Sequence, residues 1–133
     1  MKVRWMIVLG CVFLLYGCSV QKEDMKKIKD IEYTVLDEQK IPEELSLHIM
    51  EVKKEPFEIA YGDEGYLYIA KGYGKKEVSG YSIEVEECFE TENMICVKTN
   101  LMGPSKEEEA FEQETYPYIV IKTEYSEKSV VFQ

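Results

Sequence analysis

The chain has 133 residues, 45% of them hydrophobic, and its 26 acidic side chains outnumber 16 basic ones to give a net charge of −10. This balance argues against a nucleic-acid-binding protein, because phosphate backbones are bound by basic faces. It also argues against a domain that lies flat on anionic lipid. The length suits one domain with one hydrophobic core.

The N-terminus has the pattern of a lipoprotein signal peptide. Lys2 and Arg4 are followed by an apolar run of twelve residues, 5–16. Such a run is shorter than the roughly 20 residues that cross a bilayer and suits the hydrophobic segment of a signal peptide. It ends in Leu-Tyr-Gly-Cys at 15–18, which resembles the lipobox of bacterial lipoproteins. We therefore predict a signal peptide at 1–17 and an exported chain that lipid on Cys18 anchors to the extracytoplasmic face of the cell membrane.

A polar segment separates this anchor from the expected domain. Residues 18–30 are rich in charge and contain no Gly or Pro, so we expect a flexible tether. Removal of 1–17 takes away two basic residues and no acidic one, which changes the net charge to −12. The domain is then expected to cover 31–133, beginning with a strand at Ile31–Leu36.

The next segment carries two competing periodicities. Leu45, Ile49 and Val52 recur with the spacing of one helix face, which predicts a helix at about 43–54. Leu45, Leu47 and Ile49 also alternate, so a strand is the competing interpretation.

From Phe57 onward the pattern is that of β-structure. Apolar residues alternate with polar ones on both sides of two turn sequences, which predicts two hairpins, followed by two further strands. The predicted strands are 57–61, 66–70, 81–89, 94–99, 118–124 and 129–132. We expect an α+β fold, mainly antiparallel: either a small twisted sheet with one packed helix or a partly closed barrel.

The glycine-rich stretch KGYGKKEVSGYS, residues 71–82, could cradle a phosphate or connect strands. A phosphate loop leads into a helix, whereas the residues after Gly80 alternate as in a strand, and no Gly-Lys-Ser/Thr ending is present. We predict a strand connection in which glycine permits a positive φ or a close approach, with Tyr73 and Tyr81 partly packed.

Several motifs, in order, resemble the PrcB C-terminal domain family of bacterial protease-complex subunits. The sequence Ser-Gly-Tyr-Ser-Ile at 79–83 is similar to the family's strand start, and 57–74 is similar to its hairpin and Gly-Tyr-Gly turn. Gly-Pro-Ser at 103–105, followed by Gln113 and by 115–120, resembles its closing motif. The resemblance spans roughly 31–133. It implies a non-catalytic lipoprotein domain. The family's founding member is associated with a subtilisin-like surface protease, and this chain could instead bind a different envelope protein.

Two cysteines flank the second predicted turn. If Phe89 pairs with Ile95, Cys88 lies opposite Cys96, and such neighbours are close to disulfide distance. An exported chain permits oxidation. The alternative is two free thiols, and a shift of one residue in the register would separate the pair.

The segment Tyr116-Pro117-Tyr118 also has two interpretations. Proline at the start of a strand is a structural feature, while exposed tyrosines beside a proline form a surface that suits a protein partner. The polar loop 100–115 is a candidate contact segment. The candidate partner contacts are Tyr73, Gly80, Tyr81, Pro104, Tyr116, Pro117 and Tyr118.

No set of residues predicts an enzyme, a metal site or a cofactor. His48 is the only histidine and is expected to be a solvated helix residue, and the run Glu107–Glu109 is expected to be solvated. Our first hypothesis is a non-enzymatic envelope lipoprotein that binds a surface protein such as a subtilisin-like protease. The alternative is a lipoprotein that binds a sugar or peptide. A protein partner requires a flat tyrosine-rich patch, whereas a small ligand requires a concave apolar pocket.

Overall fold

The structure is a computed structural model that describes residues 26–106 and 109–133. The predicted signal peptide and the lipidation site Cys18 lie outside the described residues, as do Glu107 and Glu108. Among the described helices, none combines the length and the hydrophobicity that a bilayer crossing requires.

The described residues form ten strands and one α-helix. In chain order these are β1 Lys29–Asp30, β2 Thr34–Val35, a 3₁₀ turn Glu38–Lys40, α1 Glu43–Val52, β3 Pro56–Asp63, β4 Tyr66–Tyr73, β5 Lys76–Val78, β6 Ser82–Glu90, β7 Met94–Met102, β8 Glu112–Thr115, β9 Tyr118–Glu124 and β10 Ser129–Phe132.

The strands form two four-stranded sheets and a two-stranded ribbon. Sheet 1 has the order β1-β6-β7-β10, sheet 2 has the order β2-β9-β4-β3, and β5 pairs with β8. All pairs are antiparallel except the parallel pair of β10 with β7. The predicted α+β class is confirmed, and because the sheets do not close, the barrel alternative is wrong.

Sheet 2 is the middle layer of the molecule. One face packs on sheet 1, and the other face is covered by α1. The core between the sheets contains Leu67, Ile69, Ile119 and Ile121 from sheet 2 with Cys88, Ile95 and Val97 from sheet 1. Tyr68, Ala70 and Val120 face Ile41, Leu45 and Ile49 on the helix side. Residues 67–70 are therefore all buried, which explains their continuous apolar run.

The helix prediction is confirmed over Glu43–Val52. Leu45 and Ile49 are 2% and 1% exposed, whereas Leu47 is 60% exposed, so the helical spacing decides which residues are buried. The strand alternative is therefore wrong. The hydroxyl of Tyr61 on β3 donates a hydrogen bond to Glu44 (3.0 Å), which ties the helix to the sheet beneath it.

The first strand was predicted at Ile31–Leu36, but the structure has only the two-residue β2 within those bounds, and β1 lies just before them. β1 pairs with β6 in sheet 1, and β2 pairs with β9 in sheet 2. Between them the Ile31 N–H donates to Cys88 C=O, and Thr123 Oγ1 donates to Glu32 C=O. The segment therefore crosses from sheet 1 to sheet 2 and makes hydrogen bonds with both. β1 begins within the segment expected to be the tether.

The β6–β7 hairpin is confirmed, but the predicted cysteine pairing is wrong by one residue. The Thr91 N–H donates to Met94 C=O, which closes a two-residue turn at 92–93 and not the assumed three-residue turn. Cys88 therefore lies opposite Val97, and Cys96 lies opposite Phe89 on the other face. Both cysteines are buried and no disulfide joins them.

Candidate protein-binding surface

Four strand ends meet at one end of the molecule, and the β5–β8 ribbon extends from it. β4 and β7 end there, and β6 and β9 begin there, so 73–82 lies together with 100–106 and 109–117. The hydroxyls of Tyr73 and Thr99 share a hydrogen bond that joins the two sheets at this position. We call 73–82, 100–106 and 109–117 the ribbon end.

The glycine-rich stretch supplies the backbone that leaves the sheet. Gly74 and Gly80 have φ of 76° and 92°, which confirms the expected positive φ. A Cβ atom on Gly72 would lie 2.1 Å from the Phe57 ring, which confirms the close approach. Between these glycines the chain forms β5, an element that the sequence reading missed.

The ribbon also corrects the expected long loop at 100–115. β7 continues to Met102, and β8 occupies Glu112–Thr115. Both ribbon strands are largely polar and lack an apolar face, so they carry no alternating signal. Thr115 Oγ1 donates to Val78 C=O at 3.0 Å and supports their pairing.

Charged side chains stabilise the ribbon. The Lys75 Nζ lies 3.0 Å from Glu114 Oε1 and 3.5 Å from Glu77 Oε1. The hydrogen bond from Lys75 holds the pKa of Glu114 below its ordinary value, and the same bond raises the pKa of Lys75. Tyr116 donates its hydroxyl to Glu114 Oε2 at 3.2 Å, and the Lys53 Nζ lies 5.1 Å from the centre of its ring.

The predicted contact residues divide between structural and surface positions. Tyr118 faces the helix side, with its ring 6.3 Å from that of Phe57 and its hydroxyl donating to Glu38. Pro117 C=O accepts the N–H of Tyr73, as expected at a strand start. The remaining four, Gly80, Tyr81, Pro104 and Tyr116, lie at the ribbon end, where Gly80 is exposed and the others are half-buried.

The sequence reading missed the most exposed aromatic residue at this end. Phe111 is 63% exposed, and its backbone pairs with Ser79 through the Ser79 N–H and the Ser79 Oγ. Met102, at the end of β7, is 36% exposed. A single phenylalanine within an otherwise Glu- and Gln-rich loop was the signal that could have identified it.

The opposite end of the molecule has a wide groove of about 1270 Å³. Three exposed tyrosines, Tyr33, Tyr66 and Tyr125, lie along it. The rest of its lining is mainly charged, and the Lys122 Nζ lies 3.9 Å from the centre of the Tyr66 ring. Such a groove differs from the concave apolar pocket that a small-molecule site usually has.

Within 26–106 and 109–133, no group of three His, Cys, Asp or Glu residues is placed to hold a metal ion. His48 is 54% exposed at its side chain and lies 4.0 Å from Glu51. The described geometry gives no observation that assigns a ligand to either residue.

The ribbon end lies within a segment that matches a known family. Residues 67–124, from β4 to β9, match the model of the PrcB C-terminal family. The match supports the PrcB C-terminal family for this segment. No curated protein and no solved structure matches the chain.

The PrcB C-terminal segment contains the two central strands of sheet 2, the β6–β7 hairpin and the complete ribbon. The helix α1 and strand β3 lie before it. The match suggests a family of proteins like protease-complex subunits.

Proposed function

We propose that this chain is a non-enzymatic, lipid-anchored envelope protein whose ribbon end binds and stabilises a surface protein such as a subtilisin-like protease. The observation that carries the proposal is the family match over 67–124, which includes all of the ribbon end. The relationship to protease-complex subunits suggests the class of partner.

The composition of the ribbon end supports this proposal. Exposed Phe111 lies beside the Gly80-Tyr81 segment, because Ser79 pairs with the Phe111 backbone. The same ribbon carries the ion pairs of Lys75 with Glu77 and Glu114, and the Lys76 Nζ lies 5.9 Å from the centre of the Tyr81 ring. Protein interfaces commonly combine aromatic anchors with a polar rim.

The position at which the chain enters the domain also supports the proposed partner surface. Ile28 N–H donates to Glu90 C=O, so the chain enters sheet 1 at the end of β6 that lies farthest from Ser82. At about 3.3 Å per residue, β6 separates the two ends by about 27 Å. If Cys18 carries the lipid, the chain enters the domain at one end and presents the ribbon at the other.

The second candidate is a binding site for a sugar or peptide in the groove at the opposite end. Its favouring observation is the exposed tyrosine set Tyr33, Tyr66 and Tyr125. Aromatic faces stack on such ligands, but the charged lining gives them little apolar enclosure.

A crosslinked pull-down from intact host cells tests the proposal. The tagged full-length lipoprotein is compared with a variant carrying Phe111→Ser and Tyr116→Ala. The matched control is Tyr125→Ala, which removes an aromatic group that is 55% exposed at the opposite end. We expect one stoichiometric surface protease whose recovery falls at least tenfold in the double variant and is unchanged in the control.

Two further results decide between the candidates. Loss of this chain from the host should lower the amount of the captured protease, since a stabilised partner is degraded without its binding protein. Absence of any specific protein, or equal capture by the double variant, would contradict the proposal. Binding of a sugar or peptide library that Tyr125→Ala abolishes would support the groove instead.

A further inference from the structure

Strand β3 is a long open edge of sheet 2. It has eight residues, pairs with β4 along its whole length without a bulge, and is the last strand in the sheet order. Within the described residues, no strand pairs with its outer side. The other edge strands are shorter, at two residues for β1 and β2 and four for β10. Proteins usually shorten, bulge or cover such an edge, because its free backbone groups can pair with another chain.

The hydrogen-bond pattern identifies which groups point outward. The Tyr73 N–H donates to Pro117 C=O, so odd-numbered residues of β4 bond toward β9 and even-numbered residues toward β3. The β3 partners of those even-numbered residues are 57, 59, 61 and 63. The backbone groups of Pro56, Glu58, Ala60 and Gly62 therefore point away from the sheet. Proline, which has no N–H, occupies the first outward position, as expected on an edge.

The side chains leave this edge accessible. Glu58, Ala60 and Gly62 are exposed, and the last two are small. On the other face Phe57, Ile59 and Tyr61 are half-buried under α1, which leaves apolar surface beside the edge.

The charges near the outer edge of β3 favour one class of binding partner. Glu58 is paired with Lys71 at 3.0 Å, but in the described part of the chain no ion pair involves Asp63 or Glu64. The turn end of β3 is therefore acidic. A second copy of a chain with a net charge of −10 would add like charges at this edge. A basic segment of another protein would add complementary ones.

We propose that the outer edge of β3 accepts an extended segment of a partner protein as an additional strand, with a lysine or arginine beside Asp63 and apolar residues beside Ile59 and Tyr61. Main-chain hydrogen bonds supply affinity in such strand addition, and the alternating side chains supply specificity. The inference stands on the strand edge alone and does not depend on the ribbon end.

The test uses a fluorescent, end-blocked peptide of alternating valine and threonine with a lysine at each end. Its binding to the full-length chain in detergent is followed by fluorescence anisotropy. N-methylation of alternate residues in one frame should abolish binding, and methylation in the other frame should leave it unchanged, because only every second N–H faces β3. A peptide with glutamate at both ends should bind at least tenfold more weakly.

The matched protein variants are Ala60→Pro and Ala60→Thr. Proline removes the outward N–H and leaves the ladder with β4 intact, whereas threonine keeps that N–H. We expect at least tenfold weaker binding for Ala60→Pro and less than a twofold change for Ala60→Thr, with circular dichroism confirming that both variants fold.

Three results would overturn the inference: no saturable binding of the lysine peptide, equal binding by both variants, or equal binding of the two methylated peptides. A dimer in analytical ultracentrifugation that Ala60→Pro dissociates would assign the edge to a second copy of this chain, and would equally reject a partner strand.

Discussion

Gly72 shows how one residue allows two elements to approach. It lies opposite Phe57 in the β3–β4 ladder, and the aromatic ring covers the place where a side chain would stand. Phe57 in turn packs 6.3 Å from Tyr118. The sequence indicated close approach at this glycine-rich stretch, but the identity of the residue above Gly72 depends on the register of the hairpin.

We predict that Gly72→Ala destabilises the fold by about 1–3 kcal/mol, because the added methyl group displaces the Phe57 ring from its packing. Urea unfolding measures this change. Gly103→Ala is the matched control, since its Cβ would meet the Tyr81 ring at an ordinary 3.6 Å. Equal stability of the two variants would show that the ring moves without cost.

Cys88 was identified in the sequence as a residue of interest, but the residue opposite it in the hairpin was predicted wrongly. Burial raises the pKa of its thiol to about 11, with smaller contributions from Asp30 and Cys96. A thiol with such a pKa forms little thiolate at neutral pH and reacts slowly.

We expect iodoacetamide at pH 8 to label Cys88 at least 100-fold more slowly in the folded chain than in urea, because both the thiolate fraction and the access fall on folding. Peptide mass spectrometry after timed labelling provides the rate at this site. Rapid labelling of the folded chain would show that the hairpin opens, or that the thiol is exposed.

At the scale of elements, amphipathic periodicity located α1 correctly, since the helix must cover the face of sheet 2 that carries Tyr68 and Val120. The same reasoning located both hairpins. It failed for β5 and β8, because two short, largely polar strands without an apolar face leave no periodic pattern. It also missed β1, which lies in the polar segment expected to be the tether, and made the strand at β2 too long.

We predict that Leu45→Ala costs about 2–5 kcal/mol, since it empties a fully buried position between α1 and sheet 2. Leu47→Ala on the same helix should change stability by less than about 0.5 kcal/mol, because that side chain is in water. Thermal or urea unfolding of both variants compares them directly. A large loss for Leu47 would indicate that the exposed helix face has a partner.

At the scale of the whole molecule, the fold places the first described residues and the ribbon at opposite ends. Ile28 lies by Glu90 at one end, and the ribbon lies at the other, so the first described residues enter the domain away from the proposed partner surface. The candidate contacts are far apart in sequence, at 79–81 and 104–116. The meeting of strand ends from both sheets brings them together.

We predict that Cys18→Ser moves the chain out of the membrane fraction, because the thiol is the proposed site of lipid attachment and a single domain with this charge has little affinity for anionic lipid. Fractionation and metabolic labelling with a fatty acid measure the change, with Cys88→Ser as the control for a thiol unrelated to anchoring. Membrane retention of Cys18→Ser would contradict the lipoprotein proposal.

The sequence by itself determined the class of fold, the helix, the hairpins and the family, because each depends on local periodicity, turn residues or motif order. Tertiary structure decided the rest. The two-residue turn at 92–93 set the cysteine register, the packing of α1 turned Tyr118 inward, and the pairing of Ser79 with Phe111 built the ribbon end. These outcomes depend on residues that are distant in sequence and that compete for the same backbone partners and the same buried volume. A local sequence pattern therefore cannot predict them.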